Sequence, residues 1–80
     1  MAAVVRLMRL NREWSQEELG SRAGIKPGEI SVLESGRRNP TLDTLQRLAD
    51  AFGADCGEMV SAAREFEARV ELIERRAPKR

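Results

Sequence analysis

Between Ser15 and Pro40 the chain has few ways to fold. Two short segments carry apolar residues at Leu19, Ala23, Ile25, Ile30 and Leu33, with Gly24 between them. Ser15-Gln16-Glu17-Glu18 is a capping box: the serine takes a bond from the Glu18 amide and the glutamate reaches back. Trp14 and Leu19 flank it at the spacing of a hydrophobic staple. The first short helix therefore runs from Ser15 to Ala23, and Gly24 supplies the left-handed residue that closes it. Pro27, which has no N–H to satisfy, opens the second, and Gly36 ends it. Arg37-Arg38-Asn39-Pro40 is then a loop, because Pro40 bars continuation. Gly20 is small where the two helices cross closely.

The flanks extend the same architecture. A helix over about residues 3–12 has Val4, Val5, Met8 and the trailing Trp14 on one side, with Leu7 and Leu10 partly outside it. Thr41 caps a fourth helix whose Leu42, Leu45, Leu48, Ala49 and Phe52 recur at three and four, and Gly53 closes it. Asp55 caps a fifth, which carries Met59, Ala63, Phe66, Val70 and Ile73 at intervals of 4, 3, 4 and 3, with Pro78 past its end. From Gly57 to Arg76 that helix spans about 30 Å. Ala, Leu, Arg and Glu dominate and only Trp14, Phe52 and Phe66 are aromatic, so helix is favoured over sheet. Eighty residues make one domain. The expectation is an all-α, five-helix unit over residues 1–60, with residues 61–80 as a C-terminal extension of the fifth helix.

Most catalytic chemistries lack their residues. There is no histidine and no tyrosine, and one cysteine cannot make a zinc site. No phosphate loop or nucleophile elbow is visible. Asp43, Asp50, Asp55 and Glu58 serve as caps and first-turn acids. Cys56 reads as an inert thiol at a helix start, and a chain without an internal disulfide suits a reducing cytoplasm. No apolar run approaches a membrane span, and the first residues lack the order of a signal peptide. The Gly20, Gly24, Gly28 spacing lies in a polar segment and is no membrane-packing motif. The expectation is a cytoplasmic non-enzyme with no metal, no cofactor and no membrane. Net charge is only +1, from 14 basic and 13 acidic residues, so any affinity for nucleic acid must come from local placement.

Two short helices across a tight glycine turn meet the requirements of a helix-turn-helix, whose second helix enters the DNA major groove. The sequence resembles the Cro/repressor-type, Xre-like helix-turn-helix family, a lambda-repressor-like fold. The residues that carry the likeness are Ser15 to Gly20, Gly24-Ile25, Ile30 to Leu42, Leu45, Leu48-Ala49 and Phe52-Gly53. It covers about Val5 to Val60 and includes the flanking helices. The resemblance implies homodimers on pseudo-palindromic DNA sites and no catalysis. It implies that Gln16 touches a phosphate, that Lys26, Pro27, Gly28, Ser31 and Val32 face the groove, and that Ser35, Arg37, Arg38 and Asn39 lie along the backbone. It also implies an internal ion pair between Arg9 and Glu34.

Glu13 stands where the family commonly has glycine, and Pro27, Gly28 and Val32 bring no polar group to the groove. Taken in isolation, Arg37 and Arg38 are a solvated loop pair and Gln16 an ordinary first-turn residue. Their position beside the reading helix favours phosphate contact for the arginines. The stripe Met59, Ala63, Phe66, Val70 and Ile73 is expected to form the dimer seam, flanked by the i,i+4 pairs Glu65–Arg69 and Glu71–Arg75. The alternative is that it folds back on Leu7 and Leu10. Two other roles within the family remain open: an antitoxin-type module that binds a toxin protein as well as DNA, and a controller protein of a restriction–modification system.

Overall fold

The computed structural model describes the backbone of residues 1–76 and the side chains of residues 1–74. Five helices follow one another with no strand among the described residues: α1 (Ala2–Asn11), α2 (Gln16–Ala23), α3 (Pro27–Glu34), α4 (Leu42–Phe52) and α5 (Cys56–Arg76). Pro78 and the rest of the tail lie outside the described residues. Helix α2 packs on α3 and α4, while α1 crosses α3, α4 and α5. The space between them is filled by Val5, Leu19, Ile30 and Leu48, all fully enclosed, with Ala49, Leu33, Leu45, Phe52 and Met59 around them. Trp14 closes one edge, its ring stacked on Phe52 with centroids 5.9 Å apart.

The caps explain the boundaries. Ser15 Oγ accepts from the Glu18 amide at 3.0 Å, and Thr41 Oγ1 accepts from the Thr44 amide at 3.2 Å. The capping box is one-sided. Glu18 turns away from Ser15 to accept from Arg22 Nε at 2.9 Å, because a cation one helical turn on is a stronger partner than an amide. Leu42 departs from the expected core stripe and is 82% exposed. It is the first residue of α4, and helical side chains tilt toward the N-terminus, so it projects off the helix end. The constraint at Gly20 also differs in kind: a Cβ there would overlap the carbonyl oxygen of Ile25, so the turn itself, folding back over α2, demands glycine.

Three helices end in the same way, with a backbone bond running from the residue after a left-handed position to a carbonyl five residues earlier. Ile25 N donates to Gly20 O across Gly24, and Ala54 N to Ala49 O across Gly53. Trp14 N donates to Arg9 O across Glu13, whose φ is +59°. Only the last of these closures lacks the glycine that the geometry favours. Left-handed backbone costs a side-chain-bearing residue about 1–2 kcal/mol. Set against the unfolded-state entropy that glycine adds, Glu13→Gly is expected to stabilise the chain by roughly 0.5–1 kcal/mol. A thermal melt followed by circular dichroism should show Tm rising by several degrees, and an unchanged or lower Tm refutes the assignment of strain to Glu13.

Candidate nucleic-acid interface

Helix α3 is held from one side only. Ile30 and Leu33 are buried, while Gly28, Ser31, Val32 and Ser35 lie on the opposite side of the helix. Of these only Val32 is partly covered. Lys26 and Pro27 stand exposed at the start of the helix, and Arg37, Arg38 and Asn39 are exposed in the loop beyond it. The structure thus brings the groove-facing residues read from the sequence onto one continuous outer surface. Gln16 sits beside its C-terminal end, with Nε2 3.4 Å from Glu34 Oε1.

The outer face of α3 is fixed in angle by an ion pair behind it. Arg9 Nε donates to Glu34 Oε2 at 2.7 Å and Arg9 Nη2 to Glu34 Oε1 at 2.9 Å, a two-pronged contact with both side chains at most 10% exposed. Arg9 Nη1 reaches the Trp14 carbonyl at 2.7 Å. One guanidinium therefore joins α1, the α1–α2 turn and the end of α3. Hydrogen bonding to Glu34 holds the Arg9 pKa above its ordinary value despite burial, so the cation persists at every working pH.

The charge distribution reconciles a near-neutral chain with a nucleic-acid surface. Arg22, Arg47 and Arg69 are neutralised by Glu18, Asp43 and Glu65 at 2.9, 3.0 and 3.3 Å. Lys26, Arg37 and Arg38 have no acidic partner among the described residues. These three unpaired cations lie at the two ends of α3. The Ser35 hydroxyl donates to the Val32 carbonyl at 2.7 Å and accepts from the Arg37 amide at 3.4 Å. Its proton is spent within the fold, so Ser35 shapes the arginine loop rather than offering a free donor.

Glycines are informative here. Gly24, Gly36 and Gly53 have positive φ, and Gly20 is hemmed in by backbone. Gly28 has neither reason: its φ is ordinary and a Cβ would meet nothing within 4 Å. A glycine whose backbone conformation alanine could adopt costs about 0.4–1 kcal/mol, chiefly through the entropy of the unfolded chain, and nothing among the described residues requires it.

The stripe on α5 divides. Met59 and Ala63, read from the sequence as seam residues, are 2% and 6% exposed because they pack against this chain's own core. The packed part of the helix thus reaches three residues past Val60. Beyond Ala63 the N-terminal ammonium of Met1 still reaches Glu67 Oε1 at 3.2 Å, while Phe66, Val70 and Ile73 are exposed together with Leu72. Leu7 and Leu10 are exposed as well, so α5 does not fold back over them. Glu65 and Arg69 pair at 3.3 Å, whereas the Arg75 side chain of the second flanking pair lies outside the described residues. No helix among the described residues is long and apolar enough to cross a membrane.

Sequence reasoning missed two arginines. Arg12 donates to the carbonyls of Met8 at 3.0 Å and Phe52 at 2.9 Å, tying off the ends of α1 and α4 while its guanidinium covers the Phe52 ring. Arg6 lines a concavity of about 280 Å³ with Arg9, Gln16, Ser31, Glu34 and Ser35. The available signal was its spacing three residues before Arg9, which puts the two on neighbouring parts of α1.

Comparison with known proteins agrees with this geometry. Residues 5–59 match a family described as helix-turn-helix. The chain is 46% identical over 59 residues to an uncharacterized HTH-type transcriptional regulator of Sinorhizobium fredii, covering 71% of this chain and 77% of that protein. It is 32% identical over 57 residues to the cryptic phage CTXphi transcriptional repressor of Vibrio cholerae, covering 71% of this chain and 51% of the repressor. The crystal structure of the clp gene regulator ClgR from Corynebacterium glutamicum superposes with a TM-score of 0.75 at 25% identity, covering 92% of this chain and 82% of that one.

Breaking the buried pair from one side leaves a charge without compensation, which costs about 3–5 kcal/mol. Glu34→Ala is therefore expected to bring the urea midpoint down sharply. Replacing both partners with apolar residues, Arg9→Met with Glu34→Leu, should recover most of that loss. A single substitution with no effect on the midpoint rules out the anchoring role.

Proposed function

The chain belongs to the helix-turn-helix family of DNA-binding transcriptional regulators, and from that premise we propose that it binds operator DNA as a homodimer, in the cytoplasm, with α3 in the major groove. One observation carries the reading: the outer side of α3 is bare, built of short side chains, and bounded by unpaired cations. Lys26 reaches a guanine edge or a phosphate and Val32 meets a thymine methyl, with Ser31 on the same face. Gln16, Arg37, Arg38 and Asn39 track the backbone, which fixes register without reading sequence. With Pro27 and Gly28 at the front of the helix, selectivity comes largely from close fit, DNA shape and half-site spacing.

Gly28 tests this directly, because the proposal assigns opposite signs to stability and binding. Gly28→Ala should raise thermal stability by about 0.5–1 kcal/mol through helix propensity. The added methyl should hold the helix off the bases and weaken binding to a selected operator about tenfold, with less effect on random duplex. A variant that is more stable and binds the operator as well as the parent removes Gly28 from the interface.

Dimerisation is assigned to the free end of α5. Phe66, Val70 and Ile73 continue the stripe that Met59 and Ala63 begin, so the surface suited to a second copy is an extension of a packed face. Its flanks carry both signs, with Arg64, Glu65, Glu67 and Arg69, which suits self-association better than a single-sign edge. Phe66→Asp combined with Val70→Asp touches only exposed positions. It is expected to give a helical monomer by sedimentation equilibrium, with operator affinity greatly reduced. A variant that stays dimeric places the interface elsewhere. A parent chain that is monomeric when purified alone favours the alternative, in which the stripe holds a different protein, as in a toxin-binding module.

A further inference from the structure

The concavity between α1, the start of α2 and α3 brings a further cation, Arg6, beside residues already assigned to DNA. Its walls are Arg6, Arg9, Gln16, Ser31, Glu34 and Ser35, and its volume is about 280 Å³. Two of these residues are already committed to each other. The Glu34 carboxylate is neutralised by Arg9, with Gln16 on one oxygen. Formal charge over the walls is therefore that of Arg6 alone. Arg6 is exposed and has no acidic partner among the described residues.

Several donors face no acceptor within the fold. Among the described residues the Ser31 hydroxyl makes no bond, and Gln16 spends only one amide hydrogen, on a long contact to Glu34. In the first turn of α2 the Glu18 amide is taken by Ser15 Oγ and the Leu19 amide by Ser15 O, which leaves those of Gln16 and Glu17 open. A cation, a hydroxyl and a carboxamide thus line one pocket beside the start of α2, where two main-chain amides are open, and the one anion in its lining is already paired.

We propose that Arg6 joins Gln16 on one phosphodiester of the DNA backbone, seated in this concavity, with Arg6 as the cation that holds it. The inference rests on the reading that the outer side of α3 meets DNA. Duplex is the better source of the phosphate than a free anion because Ser31 and Ser35 belong to that outer side. A duplex lying on them carries one strand past the mouth of the pocket. Arg6 then extends the phosphate-contacting surface to α1, on the far side of α3 from the Lys26 end. Arg9 contributes indirectly: by cancelling Glu34 it keeps a carboxylate beside the phosphate from repelling it.

The test compares the full chain, Arg6→Ala, Arg6→Lys and the double variant Arg37→Ala with Arg38→Ala, by fluorescence anisotropy on selected and random duplexes. Circular dichroism melts should coincide for the parent and both Arg6 variants, because the side chain is exposed and unpaired. Each phosphate neutralised adds about 0.9 to the slope of log K against log salt, so between about 50 and 200 mM salt Arg6→Ala should lose roughly 3.5-fold less affinity than the parent. The weakening at low salt should be equal on both duplexes, and Arg6→Lys should restore the slope. If Arg6→Ala keeps the parent slope while the loop variant flattens it, the pocket is overturned and the DNA reading stands. A parent without affinity for any duplex overturns both. If inorganic phosphate shifts the Gln16 and Ser31 amide resonances while Arg6→Ala binds duplex like the parent, the pocket is a small-anion site and the proposal fails.

Discussion

The contact between Arg9 and Glu34 is the constraint on which the rest of the architecture depends. A helix of eight residues cannot hold its own orientation, and α3 has only Ile30 and Leu33 to grip the core. Two apolar contacts one turn apart set how deep a helix sits but leave it free to roll. The Glu34 carboxylate, caught from two directions by a guanidinium, removes that freedom. The same guanidinium caps the Trp14 carbonyl, so α1, the turn after it and α3 move as one body. Such a pair adds little net stability over an apolar replacement, because both charges must be stripped of water. Its contribution is angular: it decides which residues of α3 point outward.

Electrostatics follow from pairing more than from totals. A net charge of +1 is a poor advertisement for a polyanion ligand. Pairing of Arg22, Arg47 and Arg69 with acids on their own helices leaves Arg6, Lys26, Arg37 and Arg38 as free cations around α3. At the ionic strength of a cell, charges more than about 8 Å apart are largely screened. A phosphate at the surface therefore responds to these nearby cations and hardly to the acids of α5.

The chain also concentrates its conformational costs. Glu13 holds a left-handed backbone that glycine would adopt freely, and Gly28 weakens a helix that alanine would strengthen. The first sits in the turn between α1 and α2 and has no counterpart in the proposed function. The second lies where a close approach from outside is the reason left. The two positions show how a local stability cost separates into one that ligand binding can explain and one that nothing in the structure explains.

Much of this was determined by the sequence alone. Caps at Ser15 and Thr41, glycine closures at Gly24 and Gly53, and Pro27 at a helix start depend on contacts within five residues, so local chemistry fixes the helix limits. The core stripe of α4 was legible from Leu45 onward for the same reason, and the outer side of α3 followed from its period. What only the tertiary structure decided depends on distance across the fold. Periodicity runs unbroken along α5, yet Met59 and Ala63 are buried and Phe66, Val70 and Ile73 are not, because the body against which the helix packs ends before the helix does. Leu42 has the spacing of a core residue and lacks a neighbour to cover it. Arg6 gained meaning only when α1 brought it beside Gln16 and Ser31, residues 10 and 25 positions further along the chain. A repeating pattern specifies which side of a helix is apolar; where the neighbouring helices stop determines how much of that side is covered.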